Sequence, residues 1–306
     1  MLVPKRVPPQ PIRPNDYEPG ESIILTMSIK GFLAIVVLLA PSFVRAQVND
    51  LSRLREACCH ASAAQALADQ LLDWNELGRY HADNEKLKAQ PADSKRVVFM
   101  GDSITDAWKL PQYFPGKPYV NRGISAQGTA EMLVRMFEDV INLKPKVMII
   151  LAGTNDISRD DIGWSCVIRC AAGLELRSTQ LASPGGALSS LEILAKVEEN
   201  LQLMTELAQL HGIKVVLCSV TPVSDYGSVK MTARRSPSDI LKLNAWLKEY
   251  AARSHAIYCD YFDALVDKKG MMKKGTSRGD GLHPNDKGYA LMAPVAAAAI
   301  QEALSK

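Results

Sequence analysis

From residue 96 onward, short runs of apolar, β-branched residues alternate with longer stretches in which apolar positions recur every three or four residues. The runs Arg96–Met100 (RVVFM), Tyr119–Asn121, Lys146–Ala152 (KVMIILA), Lys214–Ser219 (KVVLCS) and Ala256–Asp260 (AIYCD) read as five strands. They are apolar throughout rather than alternating, which predicts strands covered on both faces. Thr129–Phe137, Leu191–Leu210, Pro237–Arg253 and Asp286–Ala303 carry the helical period. Ser189-x-x-Glu192 and Ser236-Pro237-x-Asp239 have the spacing of capping boxes at two helix starts, and Gly212 after His211 marks a helix end. Upstream, residues 51–89 read as helix. Leu51, Leu54, Ala61, Ala64, Leu67, Leu71 and Leu72 keep helical spacing, and a charged second segment runs from Glu76 to Ala89. Such alternation predicts an α/β protein with a parallel sheet between helices, whose ligand sits at the carboxyl ends of the strands.

The first 46 residues fall outside this pattern. Residues 1–26 are proline-rich and aperiodic. Lys30 then precedes an unbroken small-and-apolar run, Gly31–Ala40, followed by Pro41 and Val44-Arg45-Ala46. A positive start, an apolar middle and small residues flanking a cleavage point make a secretory signal peptide over about 27–46. The run is too short to span a bilayer as an anchor. Met27 is then the expected initiator, with residues 1–26 a disordered extension or a start-site error, and the product secreted or periplasmic. Residues 47–92 follow as an N-terminal helical segment, and 93–306 as the main domain.

Composition narrows the classes. Thirty-six basic against 33 acidic residues give a net charge of +3, too small for a polyanion binder, so no nucleic-acid partner is expected. Apolar residues at 47% exclude a mostly disordered chain. Six cysteines are too few for a disulfide scaffold. No apolar run is long enough for stable membrane insertion.

The polar residues of chemical interest cluster where a parallel sheet would place them. Gly101-Asp102-Ser103 follows the first strand and Asn121-Arg122-Gly123 the second. Gly153-Thr154-Asn155-Asp156 follows the third, and Asp280-Gly281-Leu282-His283-Pro284 precedes the last helix. Acyl transfer needs a nucleophile, a base, an orienter for the base and donors for an oxyanion. Ser103 is a candidate nucleophile, although a serine after a strand also serves as a helix cap. Of the five histidines, only His283 lies in a polar loop with a carboxylate, Asp280, three residues upstream. His60, His81, His211 and His255 lie on or beside predicted elements. Asn155 offers an amide donor, and is equally at home in an Asn-Asp turn.

These four blocks resemble those of the SGNH (GDSL-type) hydrolases, from about Arg96 to the C-terminus with one interruption. The resemblance is nearest to secreted bacterial esterases similar to the catalytic subunits of platelet-activating factor acetylhydrolases. It implies a three-layer α/β/α sandwich related to flavodoxin, with a five-stranded parallel sheet, no metal and no organic cofactor. It implies Ser103 as nucleophile, His283 as base and Asp280 as its orienter. It also implies an oxyanion hole made of the Ser103 N–H, the Asn155 side chain and one N–H of the second block, with Asp102 and Gly123 in support. The implied activity is hydrolysis of short-chain acyl esters, on carbohydrate or small lipid, through an acyl-enzyme. A lysophospholipase- or thioesterase-like acylhydrolase, or a catalytically silent binding module, are the alternatives. A flavodoxin-like nucleotide binder is disfavoured, because Gly101-Asp102-Ser103 lacks the glycine spacing and Asp102 repels phosphate.

Two departures from the family pattern stand out. Ala126 occupies the position where the family's glycine gives its N–H, and a positive φ there would cost alanine about 1 kcal/mol. The second departure is an insertion at about 158–190, containing Trp164, Cys166, Cys170 and a Ser/Gly/Pro stretch. It reads either as a disordered insertion or artefact, or as a lid. Cys166 and Cys170 have disulfide spacing, while Cys58 and Cys59 are adjacent and unsuited to pair with each other. Cys218 and Cys259 lie in strands and read as buried thiols. Trp108, Tyr113 and Phe114 line an acyl pocket or simply pack. Arg122 meets a substrate anion or a surface acid. Lys268, Lys269, Lys273 and Lys274 read as a solvated face. The oligomeric state is not legible.

Overall fold

Five strands form one parallel sheet in a computed structural model that describes residues 75–91, 93–158 and 188–306, with Ser62, Gln65, Leu72 and Asp73. They are β1 (Val97–Gly101), β2 (Tyr119–Gly123), β3 (Val147–Leu151), β4 (Lys214–Cys218) and β5 (Ile257–Cys259), in the order β2-β1-β3-β4-β5. All the described residues belong to one unit, Ser62–Lys306. The expected leader at 27–46, the helical positions from Leu51 to Leu71, and Cys58, Cys59 and His60 lie outside the described residues. So do Trp164, Cys166, Cys170 and most of the 158–190 insertion.

The helices in chain order are α1 (His81–Lys88), α2 (Ser103–Asp106), α3 (Leu110–Tyr113), α4 (Thr129–Val134), α5 (Met136–Asp139), α6 (Ser190–Leu210), α7 (Met231–Arg234), α8 (Pro237–Arg253), α9 (Tyr261–Leu265) and α10 (Asp286–Ser305). The period-2 geometry of a strand sends successive side chains to opposite faces. Val98, Met100, Met148, Ile150 and Leu217 pack with Met132, Met136, Leu201, Met204, Leu243 and Leu247 on one face. Val97, Phe99, Ile149, Leu151 and Val216 pack with Trp108, Leu265, Met292 and Ala296 on the other. Both faces are covered, which is why the strands read as apolar at every position. The expected three-layer α/β/α sandwich is the observed fold. Register aligns Gly101 with Gly123 and with Leu151, so the loops after β1, β2 and β3 leave at one level.

Three local expectations need correction. The helix expected over 129–137 is two helices joined at Arg135 (φ −92°, ψ 6°), whose side chain is fully buried. The charged segment from Glu76 does not continue as helix. Glu76 takes φ 53°, and the Asp73 carboxylate accepts from the N–H groups of Leu77 (2.7 Å) and Gly78 (2.8 Å), so a turn precedes α1. At α6 the Ser189–Glu192 box is reciprocal, with Ser189 N–H donating to Glu192 at 2.8 Å. At α8 the box is half made. Ser236 Oγ accepts from the Asp239 N–H at 3.3 Å, but the Asp239 carboxylate turns to Ser190 Oγ (3.1 Å) and Lys242 (3.3 Å), joining α8 to α6. Among the described residues no helix is long and apolar enough to cross a membrane.

Candidate active site

The turn from β1 into α2 places Ser103 at the first helical position. Asp102 is the N-cap, and its Oδ1 accepts the Ile104 N–H at 2.8 Å, a contact worth about 1 kcal/mol to the helix start. The helix can approach because residue 101 is glycine: a Cβ there would lie 2.1 Å from Thr105 Oγ1 and 2.8 Å from the Leu151 carbonyl. Ser103 itself stays half-exposed at the carboxyl edge of the sheet.

The partner comes from 180 residues downstream. His283 Nε2 lies 2.8 Å from Ser103 Oγ, and its Nδ1 lies 2.6 Å from Asp280 Oδ2. The other Asp280 oxygen accepts the backbone N–H groups of Leu282 (2.9 Å) and His283 (3.0 Å). Partial burial pushes the Asp280 carboxyl up, but these N–H donors and the imidazole outweigh it and hold the group below its ordinary pKa. An ionised carboxylate only accepts, so the proton sits on Nδ1 and Nε2 is free to accept from the Ser103 hydroxyl. The loop is held by a hydrogen bond from the Ser224 N–H to the Gly281 carbonyl (2.8 Å). Gly281 has φ +77°, and a Cβ there would lie 2.0 Å from the Ser224 carbonyl oxygen.

The second and third blocks adjoin this chain of contacts. The Ile124 N–H donates to the Gly101 carbonyl at 2.9 Å, fixing the loop after β2 beside the Ser103 turn. Ala126, in that loop, is exposed and takes φ +69°, the left-handed region whose cost the sequence anticipated. Among the described residues no acceptor takes the Ser103 or Ala126 N–H. Asn155 Nδ2 donates to the Gln127 carbonyl at 3.0 Å, so the amide of the third block reaches the loop that holds Ala126. Asp156 secures the same loop from below. It accepts the Thr129 N–H (2.9 Å) and hydroxyl (2.6 Å) at the start of α4. Gly123 donates its N–H to Asn121 Oδ1 at 2.8 Å and abuts α2, so it supports the loop rather than offering a free donor.

Asp102 is fully buried, and its Oδ2 has no partner among the described residues. Burial pushes its pKa up to about 7, against the pull of the Ile104 N–H and the Arg235 charge.

Three residues that sequence reasoning missed organise the site. Arg135 donates to Gln127 Oε1 (2.6 Å), the Arg122 carbonyl (2.8 Å), Asp139 (2.9 Å) and the Gly101 carbonyl (3.1 Å), tying together the ends of β1 and β2 and the Ala126 loop. Gln127 is its acceptor. Arg235, 80 residues from Asn155, donates to Asn155 Oδ1 at 3.2 Å and to the Thr154 carbonyl at 3.1 Å. An arginine on the buried stripe of Met132 and Met136 was the available signal for Arg135. Arg235 carried none.

Other candidates resolve differently. Trp108 and Phe114 are core: Trp108 is 2% exposed and stacks on Tyr289 with ring centroids 5.2 Å apart. Tyr113 packs at the edge of the same cluster and donates to the Asp286 carbonyl at 3.2 Å. Arg122 makes no ion pair with a surface acid among the described residues. It is buried, donates to Asn84 (2.9 Å) and the Asn121 carbonyl (2.6 Å), and lies against the Tyr80 ring. Cys218 and Cys259 are buried free thiols on neighbouring strands. Lys268, Lys269 and Lys274 are exposed, whereas Lys273 folds back onto the Ala264 carbonyl at 2.7 Å.

A serine, an imidazole and a carboxylate chained in this way at the carboxyl edge of a doubly wound sheet, with an asparagine amide reaching the loop after β2, define the SGNH class of site. The chain belongs to the GDSL-like lipase/acylhydrolase family, whose model matches residues 99–291. It is 32% identical to a Bacteroides fragilis protein provisionally described as an acylhydrolase, with a TM-score of 0.61 over 76% of this chain and 99% of that one. A GDSL-like lipase from Bacteroides thetaiotaomicron is 30% identical, with a TM-score of 0.59 over 76% of this chain and 100% of that one. An acetylxylan esterase from Xylanibacter ruminicola is 27% identical over 260 residues, 76% of this chain and 48% of the relative. The chain thus spans about half the length of that curated relative.

Proposed function

We propose that this protein is a secreted serine esterase that removes short acyl groups, acetyl foremost, from hydroxyls of carbohydrate or of small lipids. One observation carries the reading: Ser103 Oγ lies 2.8 Å from an imidazole whose far nitrogen is held 2.6 Å from a carboxylate. Ser103 attacks the ester carbonyl while His283 Nε2 takes the hydroxyl proton. The new oxyanion is met by the N–H groups of Ser103 and Ala126 and by the amide of Asn155. His283 returns the proton to the leaving alkoxide, which departs as alcohol. Water, deprotonated by the same imidazole, then attacks the acyl-enzyme and releases the carboxylic acid. Asp280 keeps the imidazole in the tautomer this sequence needs and stabilises the imidazolium. No step calls for a metal or an organic cofactor.

The choice of acyl group and alcohol is supported by the acetylxylan esterase relative. Export is supported by the leader pattern of Lys30, Gly31–Ala40 and Val44-Arg45-Ala46. The test is a series of p-nitrophenyl esters from acetate to laurate, together with acetylated xylo-oligosaccharides, assayed with the protein and with Ser103→Ala. The expected result is a maximum at acetate or propionate, release of acetate from the oligosaccharide, and loss of turnover in the variant. Equal rates for the two proteins would remove the serine mechanism. A maximum at long chains would favour a lysophospholipase- or thioesterase-like acylhydrolase.

A further inference from the structure

We propose that Arg235 is a positioning residue for the oxyanion donor, holding the Asn155 amide so that its nitrogen, and not its oxygen, faces the reacting carbonyl. The inference rests on the proposed role of Asn155 and deepens it.

An asparagine side chain presents a donor and an acceptor of nearly the same shape, and a flip exchanges them. Only the nitrogen helps an oxyanion; the oxygen would repel it. Two neighbours remove the ambiguity. Arg235 Nη2, which can only donate, lies 3.2 Å from Oδ1. The Gln127 carbonyl, which can only accept, lies 3.0 Å from Nδ2. Nδ2 carries two hydrogens, and Gln127 takes one, leaving the other for substrate.

Arg235 is itself held in place. It is only 9% exposed. Its Nε donates to the Thr154 carbonyl at 3.1 Å, and its Nη1 lies 3.2 Å from Met231 Sδ. Its backbone forms an antiparallel bridge with Ser158. One residue thus grips the loop after β3 at Thr154, Asn155 and Ser158. The guanidinium charge on Oδ1 also polarises the amide, which makes the remaining N–H a stronger donor to developing negative charge.

The test is a double-mutant cycle on p-nitrophenyl acetate hydrolysis, with kcat and KM measured separately for the full chain. Arg235→Met removes the donors and keeps an unbranched side chain and the backbone bridge. Arg235→Lys keeps the charge but not the fork that reaches two acceptors. Asn155→Ala alone is expected to lower kcat by about 10²–10³-fold, the usual loss for one oxyanion donor. Arg235→Met is expected to lower kcat about 10-fold with KM unchanged, and Arg235→Lys by an intermediate factor. In the Asn155→Ala background each Arg235 change is expected to cost less than about twofold, because its target is gone. A merely structural role would show the same fold-loss in both backgrounds, and that result overturns the inference. So does an Arg235→Met effect confined to KM. Should Arg235→Met not fold, Arg235→Lys alone decides by the same comparison. If Asn155→Ala leaves kcat unchanged, it is the oxyanion role of Asn155 that fails.

Discussion

Ala126→Gly isolates one backbone conformation with little else changed. Ala126 takes φ +69° with its methyl exposed, so the substitution removes no buried surface. The left-handed region costs an L-residue about 1–2 kcal/mol relative to glycine. Against that, glycine gives the unfolded chain more freedom, worth about 0.4–1 kcal/mol. The difference is a net stabilisation of roughly 0.5–1 kcal/mol, or a Tm rise of about 1–4 °C for a domain of this size. Urea and thermal unfolding, followed by circular dichroism, read it directly. The N–H that the proposed mechanism uses is present in both residues, so kcat is expected to stay within about threefold. A fall in stability on substitution would refute the strain assigned to Ala126. A rise in kcat approaching the ~10²-fold worth of a whole donor would refute the claim that alanine already aims its N–H correctly.

Two further predictions concern the supports of the site. Arg135→Ala removes the buried guanidinium that Asp139 and three other acceptors share and leaves the Asp139 charge unpaired, so a loss of roughly 3–5 kcal/mol is expected, seen as a lower urea midpoint. A loss below about 1 kcal/mol would contradict that role. For Asp102, the folded-state pKa is raised from 3.8 to about 7. Between those values the folded protein keeps a proton that the unfolded chain has released, so stability falls as pH rises through the window. Asp102→Asn keeps an oxygen for the Ile104 N–H and cannot ionise. Its stability relative to the parent should therefore grow from pH 5 to pH 8, by an amount on the order of a few kcal/mol. Asp280, whose pKa is lowered, gives the opposite slope and loses its contribution only as pH falls through its folded-state value, below this window. A constant difference between the two proteins across pH 5–8 would contradict the raised pKa assigned to the buried Asp102.

The sheet was legible because its strands are apolar on both faces, and the candidate-site side chains were legible because short polar blocks follow those strands. Ser103 lies 180 residues from His283 yet was grouped with it and Asp280 by the edge they share. The supports were not legible. Arg235 meets Asn155 through a contact spanning 80 residues, and no local period encodes such a pairing. Arg135 sat inside an expected helix, where the apolar spacing on either side masked the break it makes. Trp108 and Arg122 each left two readings open for the same reason. An aromatic or a cation beside a catalytic block can face the core as easily as the substrate, and burial decides which. The half-made box at Ser236 shows a capping pattern overridden by tertiary contact, since Asp239 found Ser190 on a neighbouring helix.

The central claim is that the hydroxyl of Ser103 becomes covalently acylated. Treatment with a p-nitrophenyl phosphonate ester, followed by intact-mass measurement and peptide mapping, tests it. The account expects one adduct per chain, located on Ser103, appearing in step with loss of esterase activity and absent from Ser103→Ala. Hydrolysis that persists while Ser103 is fully modified, or inactivation with the adduct on another residue, would contradict it.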